Sequence, residues 1–184
     1  MLWDFDASTA VLALLVLIVL LVRLKTKHNR SLLYLVLYVI FYIYVVNVIR
    51  YTLFPVPLFV REDNLFRLSY DLNPTGFIRW DDAQIYNNIL LSVPFGFGLP
   101  FLRKVSLKRM LLAGVMFGVA IEGAQLVLSL LIRAGYRTVD VNDVLLNFIG
   151  VLLGYGCYRL FAAIVRRISS GKKRGLASLL DAAV

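Results

Sequence analysis

The chain has 184 residues, of which 60% are hydrophobic, and a formal net charge of +9. Because soluble domains are about 45–50% apolar, this composition excludes a single soluble globular body and predicts an integral membrane protein. Basic residues that flank membrane spans account for the positive charge, so no nucleic-acid partner is expected.

Apolar runs along the chain predict an all-α bundle of about five transmembrane helices. A helix needs about 20 residues to cross about 30 Å of hydrocarbon. The predicted spans are residues 7–22, 31–54, 87–102, 110–132 and 144–165. The third run is short and contains Pro94, Gly96, Gly98 and Pro100. We therefore expect a kinked or partly re-entrant segment at that position.

The distribution of Lys and Arg predicts the orientation of the bundle. If five helices alternate, four basic residues in the first connection, four in the third and five in the C-terminal tail lie on one side, against five in the opposite loops. The positive-inside rule then places the N-terminus outside and the C-terminus in the cytoplasm. The predicted organisation is an N-terminal helix with a basic loop at residues 1–30, a helical membrane domain at residues 31–166 and a basic cytoplasmic tail at residues 167–184.

The first run is not expected to be a cleaved signal peptide. Asp4 and Asp6 precede it where a signal peptide has basic residues, so this run is expected to remain as a helix.

The longest connection, residues 55–86, is expected on the outer side. It contains Pro55, Pro57 and the turn Asn73-Pro74-Thr75-Gly76, which break helices, and apolar residues are interleaved with its acidic ones. This composition predicts a segment that lies against the membrane interface or caps the bundle. Connections of this length without regular structure are often functional.

Charged and amide residues near the spans are the candidate functional residues, because a charge at the bilayer centre costs about 2.5–3.5 kcal/mol or more unless it is paired or solvated. The predicted polar cluster, in the outer half of the membrane, consists of Arg50, Asn88, Glu122, Gln125, Arg137, Asp140, Asp143 and Asn147. A buried Glu beside amides can bind a polar head group or carry protons, and the arginines can pair with phosphate or with the aspartates. The alternative is that these groups satisfy one another and fix helix register.

Helical periodicity arranges small and polar residues on two faces. At 100° per residue, one face of the fourth span carries Gly114, Gly118, Glu122 and Gln125. One face of the fifth carries Asp143, Asn147, Gly150 and Gly154, with Asp140 if the helix begins early. The four glycines permit close helix packing, so the two faces are predicted to pack on each other or around one cavity.

Several catalytic and metal-binding arrangements are excluded. His28, the single histidine, lies in the predicted cytoplasmic loop, so it cannot form a Ser-His-Asp triad with acids on the other side. Cys157 is the single cysteine, which excludes an intramolecular disulfide and a multi-cysteine metal site. The chain has no H-E-x-x-H motif and no glycine-rich nucleotide loop. We expect no resident metal or cofactor, and no catalytic residue is assigned.

Three ordered blocks of sequence resemble the VanZ-like membrane protein family. They are Asn88-Ile-Leu-Leu-Ser-Val-Pro94-Phe-Gly-Phe-Gly-Leu-Pro100, then Glu122-Gly-Ala-Gln125, then Arg137-Thr-Val-Asp140-Val-Asn-Asp143-Val-Leu-Leu-Asn147-Phe-Ile-Gly150-Val-Leu-Leu-Gly154. With Arg50 and Asn73-Pro74, the resemblance covers roughly residues 50–154. Ser92 stands where the family usually has Phe, and the segment near Asn73 lacks the usual Ile-Pro-Phe.

The resemblance implies a multi-pass protein of the bacterial cell membrane that contributes to resistance to the lipoglycopeptide teicoplanin or to envelope-lipid handling. The implied partner is a membrane lipid or lipoglycopeptide. Two other functions stay open: a membrane enzyme acting on a lipid-linked substrate, with Glu122 or Asp143 as general base, and a proton-coupled transporter.

Overall fold

The computed structural model describes residues 2–57, 70–71, 83–133 and 137–169. Within these ranges the helices are α1 Ala7–Thr26, α2 Leu32–Leu53, α3 Ala83–Leu102, α4 Leu107–Ile132 and α5 Val141–Ser169. All five are long and apolar enough to cross a membrane, which confirms the predicted fold class. The turn at residues 73–76, most of the connection 55–86 and the end of the tail lie outside the described residues.

Polar side chains just ahead of the apolar runs mark where three helices begin. The Asp6 carboxylate accepts a hydrogen bond from the backbone N–H of Thr9 at 3.0 Å, and the Thr9 hydroxyl accepts one from the N–H of Asp6 at 3.2 Å, forming a capping box. Ser31 caps α2, and Ser106 caps α4 by accepting a hydrogen bond from the backbone N–H of Arg109. These caps satisfy N–H groups that have no partner within the helix.

Helix α3 differs from its prediction. It is a continuous helix that begins at Ala83, and Pro94 and Pro100 lie inside it. A re-entrant segment is therefore not formed. Neighbouring hydroxyls bind the carbonyls around Pro94: the Tyr44 hydroxyl donates to the carbonyl of Leu91 at 2.7 Å, and the Ser92 hydroxyl donates to that of Asn88 at 2.8 Å. Such contacts make proline tolerable in a membrane helix.

The backbones of α3 and α5 are in direct contact through glycine. A Cβ atom on Gly96 would overlap the carbonyl of Val151, and one on Gly154 would overlap the carbonyl of Val93. A Cβ atom on Gly150 would overlap the carbonyl of Ile89. Because apolar helices gain little from hydrophobic burial in lipid, this close van der Waals packing is a main source of helix association.

Helix α4 packs on another face of α5. Gly114 faces Phe148 and Val151, and Gly118 faces the backbone of Val144. The glycine-bearing faces of α4 and α5 thus do not pack on each other, since that of α4 meets α5 and that of α5 meets α3. Of the polar residues on these two faces, Gln125 and Asp143 line one cavity, whereas Glu122 and Asn147 do not.

Four two-residue strands tie the connections together at one end of the bundle. Strand β1 Leu2–Trp3 pairs antiparallel with β2 Val56–Pro57, and β3 Tyr70–Asp71 pairs parallel with β4 Val139–Asp140. The N-terminus, the α2–α3 connection and the α4–α5 connection therefore lie at the same end, which we call the strand end.

Candidate functional site

A polar cavity of about 900 Å³ lies at the strand end, where α2 and α4 end and α3 and α5 begin. Most of its lining side chains carry an amide, a hydroxyl or a charge. The lining residues are Tyr51, Thr52, Gln84, Asn87, Asn88, Leu90, Leu91, Gln125, Arg137, Thr138 and Asp143. We call this space the polar cavity.

Asp143 is the acidic residue of the described cavity wall. Its carboxylate accepts hydrogen bonds from Gln84 Nε2 at 3.0 and 3.2 Å and from Asn88 Nδ2 at 2.6 Å. Gln84 and Asn88 are four residues apart and therefore lie on the same face of α3. Asp143 belongs to the first turn of α5, where the helix dipole favours a negative charge. The cavity therefore holds a carboxylate oriented by two amides.

Two donors connect the end of α2 to the rest of the cavity wall. Gln125 Nε2 donates to the carbonyl of Thr52 at 3.0 Å, and Arg137 Nη2 donates to the carbonyl of Phe54 at 3.3 Å. Both carbonyls belong to the last turn or the C-cap of α2, where backbone acceptors have no partner within the helix. Gln125 and Arg137 thus complete the helix end and line the cavity together.

Glu122 lies behind the cavity wall and is not one of its lining residues. Its side chain is 5% exposed, and its Oε2 atom accepts a hydrogen bond from the backbone N–H of Asp140 at 3.0 Å. The carboxylate of Asp140 in turn accepts hydrogen bonds from the backbone N–H and the side-chain amide of Asn142, at 2.7 and 3.0 Å. Glu122 and Asp140 therefore support the beginning of α5.

The other two residues of the predicted cluster are also outside the cavity lining. Asn147 is fully buried, and its Nδ2 atom donates to the carbonyl of Asp143 at 2.8 Å. Arg50 is exposed, with its guanidinium carbon 5.8 Å from the ring centroid of Phe5. Of the predicted cluster, the structure brings Asn88, Gln125, Arg137 and Asp143 into the cavity wall.

Sequence reasoning missed several residues of the wall. Gln84 lies in the predicted connection 55–86, and Asn87 is the first residue of the predicted third span, but neither is in the predicted polar cluster. The spacing of Gln84 and Asn88 on one helix face is a signal that could have identified the pair. Thr52 contributes a backbone carbonyl to Gln125, which no side-chain pattern reveals.

The described wall suits recognition of a polar group by hydrogen bonds and charge. It contains one carboxylate, one guanidinium and several amides and hydroxyls. Leu90 and Leu91 add an apolar border, and the Leu90 side chain is 67% exposed on a helix apolar enough to span the membrane. Among the described residues, no group of three His, Cys, Asp or Glu side chains is placed to hold a metal ion. The arrangement therefore fits a molecule with a polar part and an apolar part.

Comparisons with known proteins identify the family of the chain. No curated protein and no solved structure matches the chain significantly. The VanZ/LLP1 family model matches residues 9–162, a range that contains all of α2, α3 and α4 and most of α1 and α5. The chain is thus a multi-pass membrane protein that belongs to the VanZ/LLP1 family.

Proposed function

We propose that this protein resides in the bacterial plasma membrane with the polar cavity on the outer side, where it binds the polar head group of an amphiphile. The amphiphile is the lipoglycopeptide teicoplanin or an envelope lipid, and binding limits access of the antibiotic or affects lipid handling. The observation that carries the proposal is the polar cavity itself, which lies at four helix ends and is lined by the amide-bound carboxylate of Asp143.

The size and chemistry of the cavity support a ligand of this kind. Ligand sites typically occupy about 300–1,000 Å³ and combine apolar walls with a few oriented polar groups, and the cavity measures about 900 Å³. Asp143 and Arg137 offer both signs of charge beside neutral amides, while Leu90 continues the wall onto an exposed apolar face. The head group binds among the polar residues, and its apolar chain lies along α3.

The charge distribution supports the orientation. The end of the bundle opposite the cavity carries basic residues in the last turn of α1, at Arg23 and Lys25, in the α3–α4 connection, at Arg103 and Lys104, and at the end of α5. Basic connections remain in the cytoplasm during insertion. The cavity then lies at the extracytoplasmic end.

The test compares a teicoplanin-sensitive Gram-positive host expressing wild type or Asp143→Asn at matched membrane levels. Asparagine retains the shape of the side chain but removes the charge, and its amide nitrogen opposes the Gln84 and Asn88 donors. Hydrogen bonds to charged groups contribute about 1.5–3 kcal/mol, so affinity should fall roughly 10- to 150-fold. Gly156→Ala is the matched control on α5, since no heavy atom lies near its added Cβ.

Selective protection against teicoplanin, lost in Asp143→Asn and kept in Gly156→Ala, supports the antibiotic as ligand. Equal susceptibility of all strains, with a membrane lipid that copurifies with wild type and not with Asp143→Asn, supports the envelope lipid instead. If neither ligand depends on Asp143, the proposal is wrong.

Two other activities would give different results. An enzyme acting on a lipid-linked substrate would convert labelled membrane lipid to a product, and Asp143→Asn would abolish that turnover. A proton-coupled transporter would show flux driven by a pH gradient, and this flux would disappear in Glu122→Gln.

A further inference from the structure

We infer that Glu122 is a positioning residue that holds the α4–α5 connection against α4 and so keeps the wall of the polar cavity in place. The expected effect of Glu122 on ligand binding rests on the proposed function, whereas the contact between Glu122 and Asp140 is independent of it. Glu122 acts through the backbone amide of Asp140 rather than by touching the ligand.

The location of Glu122 separates it from the ligand. The residue is 5% exposed and is absent from the cavity lining, whereas Gln125, one turn further along the same face of α4, is part of that lining. The bond from the Asp140 N–H to Glu122 Oε2 measures 3.0 Å and joins residues that are 18 positions apart. A buried acceptor in the middle of a long apolar helix thus binds the α4–α5 connection to α4.

The anchored segment carries the two charged residues of the described cavity wall. Arg137 and Thr138 lie just before Asp140, and Asp143 lies three residues after it. The carboxylate of Asp140 also binds the backbone N–H of Asn142, which starts α5 in the manner of an N-cap. Loss of the bond to Glu122 would therefore displace the guanidinium of Arg137 and the first turn of α5 together.

The same anchor sets where the long α2–α3 connection meets the bundle. Strand β4 pairs with β3, and Asp140 is aligned with Asp71 in that pairing. The amide of Asp140 is thus bound to α4, while its strand is bound to the long connection. Glu122 is the described side chain that joins these two contacts to a membrane helix.

The chemistry of the anchor distinguishes it from an ionisable ligand-binding or proton-carrying group. The contact requires one acceptor oxygen and no charge. Gln supplies such an oxygen at the same position, whereas Leu has a similar size and no acceptor. A group that carries protons or binds a cation would lose its activity in both variants.

The experiment uses the purified full chain in lipid nanodiscs, as wild type, Glu122→Gln, Glu122→Leu and the neighbouring control Gly123→Ala, which has open space around its added Cβ. Hydrogen–deuterium exchange is measured in peptides covering residues 137–143, and teicoplanin affinity is measured in parallel. We expect exchange in this segment to rise about fivefold or more in Glu122→Leu, with teicoplanin affinity reduced about tenfold. Glu122→Gln and Gly123→Ala should stay close to wild type in both measurements.

Unchanged exchange and affinity in Glu122→Leu would overturn the inference, as would a Glu122→Gln variant that behaves like Glu122→Leu. If Glu122→Leu does not accumulate, the Glu122→Gln result decides: retained protection and binding support the anchor, and their loss overturns it. Absence of teicoplanin binding in wild type would refute the antibiotic as ligand, while the exchange data would still test the anchor.

Discussion

Replacing Gly150 by Ala tests whether the contact between α3 and α5 holds the bundle together. A Cβ atom at this position would overlap the Ser92 hydroxyl and the carbonyl of Ile89, and the second of these is backbone that cannot rotate away. Inserting a methyl group into a tightly packed interior costs typically about 1–3 kcal/mol. The ratio of folded to unfolded protein should therefore fall about 5- to 160-fold.

The matched control is Gly156→Ala, on the same helix and with no heavy atom within 4 Å of the added Cβ. Thermal unfolding in detergent, followed by the loss of monodisperse protein in size-exclusion chromatography, should show a lower midpoint for Gly150→Ala. Gly156→Ala should keep the wild-type midpoint or raise it, because Ala favours a helix over Gly. Equal midpoints for the two variants would show that the backbones of α3 and α5 do not meet at Gly150.

Two further predictions concern helix contacts. Tyr44→Phe removes the hydrogen bond of 2.7 Å to the carbonyl of Leu91 and should destabilise the protein by about 1 kcal/mol. The midpoint of thermal unfolding should therefore be lower than that of Tyr86→Phe, a control at an exposed position. Equal midpoints for the two variants would contradict the contact. Hydrogen bonds from Ser8 and Thr9 hold the pKa of the Asp6 carboxyl well below its ordinary value of 3.8. The cap on α1 is therefore fully formed at neutral pH, and it is lost only as the pH falls through that lowered pKa. Asp6→Ala should accordingly increase hydrogen exchange in the first turn of α1 at neutral pH, and wild type should keep its protection down to mildly acidic pH.

The membrane spans could be predicted because their signal is the length of apolar runs, which depends on the chain alone. The start of α3 could not be predicted in this way. Its first turn, at Ala83 to Tyr86, includes the polar residue Gln84, and this side chain donates to Asp143 on α5. The prolines inside α3 suggested a kinked or partly re-entrant segment, but α3 is continuous and the hydroxyl of Tyr44 on α2 donates to the carbonyl of Leu91. In both cases a tertiary contact overrides the local signal.

Part of the candidate site was predictable from the sequence, because polar residues within apolar helices are conspicuous. Asp143 and Gln125 stand out because polar residues in apolar helices are costly, and both line the cavity. Glu122 gave an equally strong signal, yet its partner is the backbone amide of Asp140, and a backbone donor leaves no trace in the pattern of side chains. The sequence therefore singles out Glu122 as a polar residue in an apolar helix but does not identify its hydrogen-bond partner.

The central claim is that the polar cavity faces outward and holds the head group of an amphiphile, and a cysteine at Asn87 tests it most directly. Asn87 is exposed and lines the cavity, and Cys157→Ser removes the single native cysteine. In intact Gram-positive cells, a membrane-impermeant maleimide should label Asn87→Cys, and teicoplanin should slow the labelling while vancomycin does not. Labelling that requires permeabilised cells, or that proceeds at the same rate with teicoplanin present, would contradict an outward cavity that binds this antibiotic.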